Sequence, residues 1–188
     1  MKTLLLLMRH LLPHPRNIAA IFLLFCAMQA HAQTENIDVY VSDDGEASVA
    51  LYVNGIDIDI TNGRIHIYPK RNVSVGYVTS NFYPQIKGKI SSVGNVSIEY
   101  ITSNFYPEIN GRVAAIGSTA IDYYTGNFYP EIKGKVKSIG NVSFEYYTGD
   151  FYPEIKGKVK SIASQTITYY TGDFYPELKG KVKSVSGS

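Results

Sequence analysis

The chain has 188 residues, a formal charge of +2 at pH 7, one cysteine, four histidines and no tryptophan. The cysteine (Cys26) and three of the histidines (His10, His14 and His31) all fall before Gln33. The rest of the chain therefore leaves almost no room for a disulfide framework, a cysteine–histidine nucleophile or a histidine-rich metal site.

Residues 1–32 read as an export signal. Lys2, Arg9 and Arg16 precede an apolar run, Ile18 to Met28, and Ala30-His31-Ala32 presents small residues at the two positions that signal peptidase reads before Gln33. The apolar run is short for a membrane span. Phe25 stands directly before Cys26, where a lipidation motif carries a small residue. The expected destination is the periplasm or the cell exterior.

The charge of the remainder is uneven. Between Gln33 and Ile60 there are seven acids and no Lys or Arg; from Thr61 onward there are fifteen bases and nine acids. The bases recur as Lys-Gly-Lys-Val-Lys, spread along the chain and not clustered, so nucleic acid is not an expected partner.

Residues 33–78 predict short strands at Ile37–Val41, Ala47–Val53, Ile56–Ile60, Arg64–Tyr68 and Val73–Val78, separated by Asp43-Asp-Gly45, Asn54-Gly55 and Asn62-Gly63. Asn-Gly is a strong hairpin signal. This region reads either as a degenerate start to the sheet that follows or as a cap on it, since terminal repeats are atypical.

Residues 79–188 are an array. Phe-Tyr-Pro begins at Phe82, Phe105, Phe128, Phe151 and Phe174, a constant 23-residue period. A fixed period in this range means stacked supersecondary units. Within one unit, Ile132, Gly134, Val136 and Ser138 alternate with lysines, and Val142, Phe144 and Tyr146 alternate with polar residues. Two short period-two runs joined by Ile139-Gly-Asn141 predict a hairpin. Strict alternation then requires a three-residue loop, pairing Val136 with Phe144, Lys135 with Glu145 and Gly134 with Tyr146, with Asn141 in the left-handed region and the tyrosine ring covering the cross-strand glycine. The expected fold is all-β: an antiparallel meander of tandem 23-residue hairpins with roughly 12–14 strands in a twisted or rolled sheet. The alternative is a closed, outer-membrane type of barrel. It fits less well, because membrane strands need about 9–11 residues each and half a repeat must hold a strand and its turn.

Chemistry is sparse. His66 alternates with Ile65 and Ile67 as a strand residue facing solvent. Glu99, Asp122 and Glu145 recur at one repeat position, which points to strand pairing and not to catalysis, needed only once. Asp43-Asp-Gly-Glu46 and the Asp57/Asp59 pair lack a calcium-loop pattern. Asn72, Asn95 and Asn141 open Asn-x-Ser sequons, two of them by-products of the hairpin turn. No cofactor, metal or catalytic residue is expected. The binding candidates are the aromatic pairs Phe82/Tyr83, Phe105/Tyr106, Phe128/Tyr129, Phe151/Tyr152 and Phe174/Tyr175. They would recur every two strands along one edge of the sheet, about 9.6 Å apart. Such a row could engage a glycan or an envelope protein. The competing reading is that the rings fold back and close the end of the core. The lysine-rich last strand would guard a sheet edge, through which copies could also self-associate.

The run Tyr-Thr-Gly-[Asn/Asp]-Phe at Tyr124–Phe128, Tyr147–Phe151 and Tyr170–Phe174 resembles the Tyr-x-Gly-x-Phe core of MORN repeats, also 23-residue β-hairpins. The Tyr-Tyr…Gly-Lys-Val-Lys-Ser-Ile run is similar to the YD-type repeats of bacterial surface and toxin shells. Either resemblance covers residues 79–188 and implies a scaffold or interaction role rather than an enzyme.

Overall fold

The computed structural model describes residues 35–42 and 45–187. The export signal expected at 1–32, and with it Cys26, lies outside the described residues, as do Asp43 and Asp44. Four strands, β1 (Glu35–Val41), β2 (Ala47–Val53), β3 (Ile56–Thr61) and β4 (Arg64–Tyr68), pair antiparallel in chain order as one sheet. Ten more form a second sheet. They are β5 (Val75–Tyr77), β6 (Ile90–Val93), β7 (Val96–Tyr100), β8 (Val113–Ile116), β9 (Thr119–Tyr123), β10 (Val136–Ile139), β11 (Val142–Tyr146), β12 (Val159–Ile162), β13 (Gln165–Tyr169) and β14 (Val182–Ser186). Their spatial order is their chain order, so the array is an antiparallel meander, and neither sheet closes into a barrel.

The strands before β5 do not continue the array's sheet. Instead the two sheets share one core. Alternate residues of β2 and β3 (Val49, Leu51, Val53, Ile56, Ile58, Ile60) are buried together with Ile116, Ile139, Phe144, Ile162 and Ile167 of the array. Polar ties join the sheets as well. The Asn54 Nδ2 donates to the Ile116 carbonyl (2.6 Å) and to Thr119 Oγ1 (3.1 Å). The Val136 N–H donates to the Gly63 carbonyl and the Val182 N–H to the Gly45 carbonyl, at 3.2 and 2.9 Å.

The hairpin register differs from the one that strict alternation requires. In β10–β11 the pairs are Ser138 with Ser143 and Ile139 with Val142, leaving a two-residue turn, Gly140-Asn141. The residue with positive φ is Gly140 (56°), not Asn141; Gly94, Gly117 and Ala163 hold the same place in the other hairpins. What reconciles the faces is a bulge. Across β9–β10, Val136 pairs with Tyr123 but Ser138 pairs with Asp122, so Lys137 is an extra residue. The same slip recurs at Ser91, Ala114, Lys160 and Lys183. One extra residue reverses the alternation. Val136 and Ile139, three positions apart, are therefore both 0% exposed. Burial of the second isoleucine outweighs strict alternation.

All three pairings of the strictly alternating register fall. With Ser138 opposite Ser143 and Ile139 opposite Val142, Val136 does not face Phe144. Gly134 does not lie under Tyr146. It precedes β10, has φ of 76°, and donates its N–H to the Tyr124 carbonyl at 2.7 Å. Tyr146 pairs with Val159 in the next repeat, and its hydroxyl donates across its own hairpin to the Val136 carbonyl at 2.9 Å. Tyr100, Tyr123 and Tyr169 repeat that bond with Ile90, Val113 and Val159. Lys135 does not pair with Glu145, which lies 3.5 Å from Lys160 instead.

Candidate functional site: the aromatic loop edge

Each inter-hairpin loop is built from its proline outward. Proline has a fixed φ and no N–H to satisfy, so it suits the first position of a helical turn. Pro84–Ile86, Pro130–Ile132, Pro153–Ile155 and Pro176–Leu178 each form one turn of 3₁₀ helix. The turn drives Ile86, Ile132 and Ile155 into buried positions. These aliphatic side chains, and not the aromatic rings, close that end of the fold.

The two rings of each Phe-Tyr pair, equivalent as candidates in the sequence, differ in the structure. Phe82, Phe105, Phe128, Phe151 and Phe174 project outward and are 78–87% exposed. Tyr83, Tyr106, Tyr129, Tyr152 and Tyr175 are only 40–54% exposed. Their backbone is fixed as well. The carbonyls of Tyr83, Tyr106, Tyr129, Tyr152 and Tyr175 accept the N–H three residues on, from Ile86, Ile109, Ile132, Ile155 and Leu178, at 3.0–3.2 Å. Within every pair the rings meet edge to face, with centroids 4.8–5.0 Å apart. The half-exposed tyrosine thus braces the phenylalanine, an arrangement worth about 0.5–1.5 kcal/mol beyond area burial. The row that faces solvent is therefore a row of phenylalanines on tyrosine supports, and not ten equal rings. An exposed phenyl on a braced loop costs solvation without contributing to the core.

The loops are stitched to one another. Glu108, Glu131 and Glu154 each accept, through Oε1, the backbone N–H of the glycine eighteen residues later: Gly126, Gly149 and Gly172, at 3.3, 3.1 and 3.0 Å. The carboxyls of these glutamates are held below their ordinary value, first by their own backbone N–H and also by the next repeat's glycine. At the base of the last four loops a side chain reaches back six residues, Asn110 to Asn104 in the first of these. Lys133 donates to Asn127, and Lys156 and Lys179 pair with Asp150 and Asp173 at 2.5 and 2.7 Å. Lys133 also lies 3.8 Å from Glu108, so the loop-base lysine is paired with a carboxylate at three of the five loops.

The second lysine of the Lys-Gly-Lys motif turns inward in two repeats, which the sequence pattern did not reveal. Lys89 and Lys135 donate to the carbonyls of Gly111 and Gly157 in the following repeat. Their ammonium groups lie over the rings of Tyr100 and Tyr146, at 5.5 and 5.3 Å. Burial lowers both lysine pKa values. The available signal was the glycine itself, recurring in every repeat one position before this lysine or its replacement.

His66 is exposed in β4, paired across the ladder with Asp59. Asp57 lies 3.7 Å from Lys70, whose ammonium also covers the Tyr52 ring. Among the described residues no group of three or more His, Cys, Asp or Glu is placed to hold a metal ion. No protein-family model matches the chain, and no curated protein or solved structure is significantly similar to it.

Proposed function

We propose that this is an exported, non-catalytic repeat protein of MORN-like type that serves as a binding or structural scaffold in the cell envelope, engaging its partner through the phenylalanine row. The observation that carries this reading is the exposure of all five phenylalanines, each braced by its own tyrosine and each at the same repeat position. Folding gains only the edge-to-face contacts from five phenyl groups held in water, and a recurring set of exposed apolar groups of this kind marks an interaction site. The paired charges at the loop bases favour a neutral partner, such as a glycan or an apolar protein surface, over a polyanion.

The test is a variant with Phe82, Phe105, Phe128, Phe151 and Phe174 all changed to Ser. It should retain the wild-type circular dichroism spectrum and a single cooperative melt, at a temperature lowered only by the loss of the edge-to-face ring contacts. It should lose retention on envelope glycans in an array, or lose the self-association that sedimentation detects. An unfolded variant, or one whose binding and association equal wild type, overturns the reading.

A further inference from the structure

The five repeats differ at several positions, and two departures of the second repeat meet at one place. Lys87, Lys133, Lys156 and Lys179 share a repeat position at which the second repeat carries Asn110. Lys89, Lys135, Lys158 and Lys181 share another, at which it carries Arg112. The loop of that repeat keeps the turn of the other four, with the Ile109 and Asn110 N–H groups donating to the Tyr106 and Pro107 carbonyls at 3.1 and 3.4 Å, so the difference lies in the side chains. Asn110 and Arg112 both line a cavity of about 290 Å³, together with Glu108 and with Arg64 from β4. Its volume is near the lower end of the range for small-molecule sites. A site required once has to break the repeat, and here two breaks fall in one cavity wall.

The charges in the cavity are left over. Where Lys89 and Lys135 reach the next repeat's glycine carbonyl, Arg112 turns back, and its Nε donates to the Glu108 carbonyl at 2.8 Å. The Arg112 guanidinium lies over the Tyr123 ring at 5.6 Å, and its other N–H groups have no acceptor among the described residues. The Arg64 side chain makes no hydrogen bond or ion pair to any described residue. Burial first, and also the nearby Arg64 charge, lower the Arg112 pKa. The one acid in the wall, Glu108, is already committed: its Oε1 accepts the Gly126 N–H and its Oε2 lies 3.8 Å from Lys133. Asn110 is neutral and engaged with Asn104 and Gln85, so no lysine crosses this loop base.

We propose that this cavity binds a small oxyanion, a carboxylate or phosphate group, between the guanidinium groups of Arg64 and Arg112. Arginine is suited to this because its planar fork presents paired donors that match such a group, which an ammonium cannot do. The Arg112 side chain, replacing the lysine of the other repeats, supplies the fork, and the first residue of β4 brings the second cation to the same cavity. The proposal is independent of the phenylalanine row, which lies in the loops and contributes nothing to the cavity wall.

Isothermal titration of the full chain with inorganic phosphate and with succinate, ionic strength being held constant with sodium chloride, provides the test. Saturable one-site binding of at least one probe is expected. R112K, which keeps the charge and restores the residue of the other repeats, should weaken it at least tenfold, and so should R64Q. K135R, which puts a guanidinium at the matching place of the next repeat, should leave the affinity unchanged. Thermal melts without anion establish that each variant is folded. Absence of saturable heat with both probes overturns the proposal, and so does wild-type affinity in either R112K or R64Q.

Discussion

Gly134 and Gly88 hold the same repeat position with nearly the same φ, 76° and 78°, yet only one of them is crowded. A Cβ on Gly134 would stand 2.9 Å from the Glu108 carbonyl oxygen, a backbone atom of the preceding repeat. A Cβ on Gly88, which has no such loop beneath it, would meet nothing within 4 Å. Both substitutions incur the left-handed penalty of about 1–2 kcal/mol. Gly134→Ala adds overpacking of about 1–3 kcal/mol, because a carbonyl fixed in the loop stack cannot swing aside as a side chain can. Chemical denaturation should therefore show Gly134→Ala to be less stable than Gly88→Ala by at least about 1 kcal/mol. Equal losses would mean that the stacking of one loop on the next does not constrain this position.

At the scale of the element, the loop is the unit that communicates between repeats, and its glutamate is the link that titrates. The folded-state pKa values of Glu108, Glu131 and Glu154 lie below the ordinary value of 4.5. A group with a depressed pKa contributes stability that is complete above its unfolded value and is lost as the pH falls through its folded value. The melting temperature should accordingly fall as the pH drops below about 4.5. A triple E108Q/E131Q/E154Q variant should melt lower at neutral pH and show a shallower acid dependence. An unchanged acid slope in the triple variant would assign the acid sensitivity to Asp173, whose carboxyl is lowered by its hydrogen bond to Lys179. The period, the hairpins and the Phe-Tyr-Pro loops were legible because each is a local pattern repeated along the array. The register was not. Lys137 looks like any other solvent-facing residue, and a bulge shows itself only when a second buried residue, here Ile139, stands three positions from the first. The aromatic pairs were legible as candidates, but the division between projecting Phe128 and bracing Tyr129 was not. It depended on whether ring or isoleucine closed the core, and the proline-initiated turn decides that. The oxyanion cavity could have been glimpsed in Asn110 and Arg112 as departures from the repeat. Its other cation, Arg64, comes from a different sheet, and no spacing in the sequence connects the two.

For the whole molecule, the four-stranded sheet limits how freely repeats can be exchanged. In an unaccompanied array each unit touches only its neighbours, stability is a sum of unit and interface terms, and any copy can be removed. Here the small sheet grips the array at two places that are two repeats apart, Gly63 on Val136 and Gly45 on Val182, with Glu46 also paired to Lys158 of the repeat between them. Deleting Phe128 to Asp150 keeps the 23-residue register but leaves only one repeat between those grips. One of the two backbone bonds must be lost, with part of the shared core around Ile56, Ile58 and Ile60. Duplicating Phe151 to Asp173 instead carries an equivalent Lys-Val pair into the place that Gly45 reaches and extends the array beyond the small sheet. Thermal melts should therefore rank the duplication close to wild type and the deletion well below it. Deleting Phe128 to Gly149, one position short of the period, should be worse still, since such a slip turns every downstream side chain to the opposite face. If the in-register deletion melts with the duplication, the repeats are independent of the small sheet, and the shared core is not what sets the length of the array.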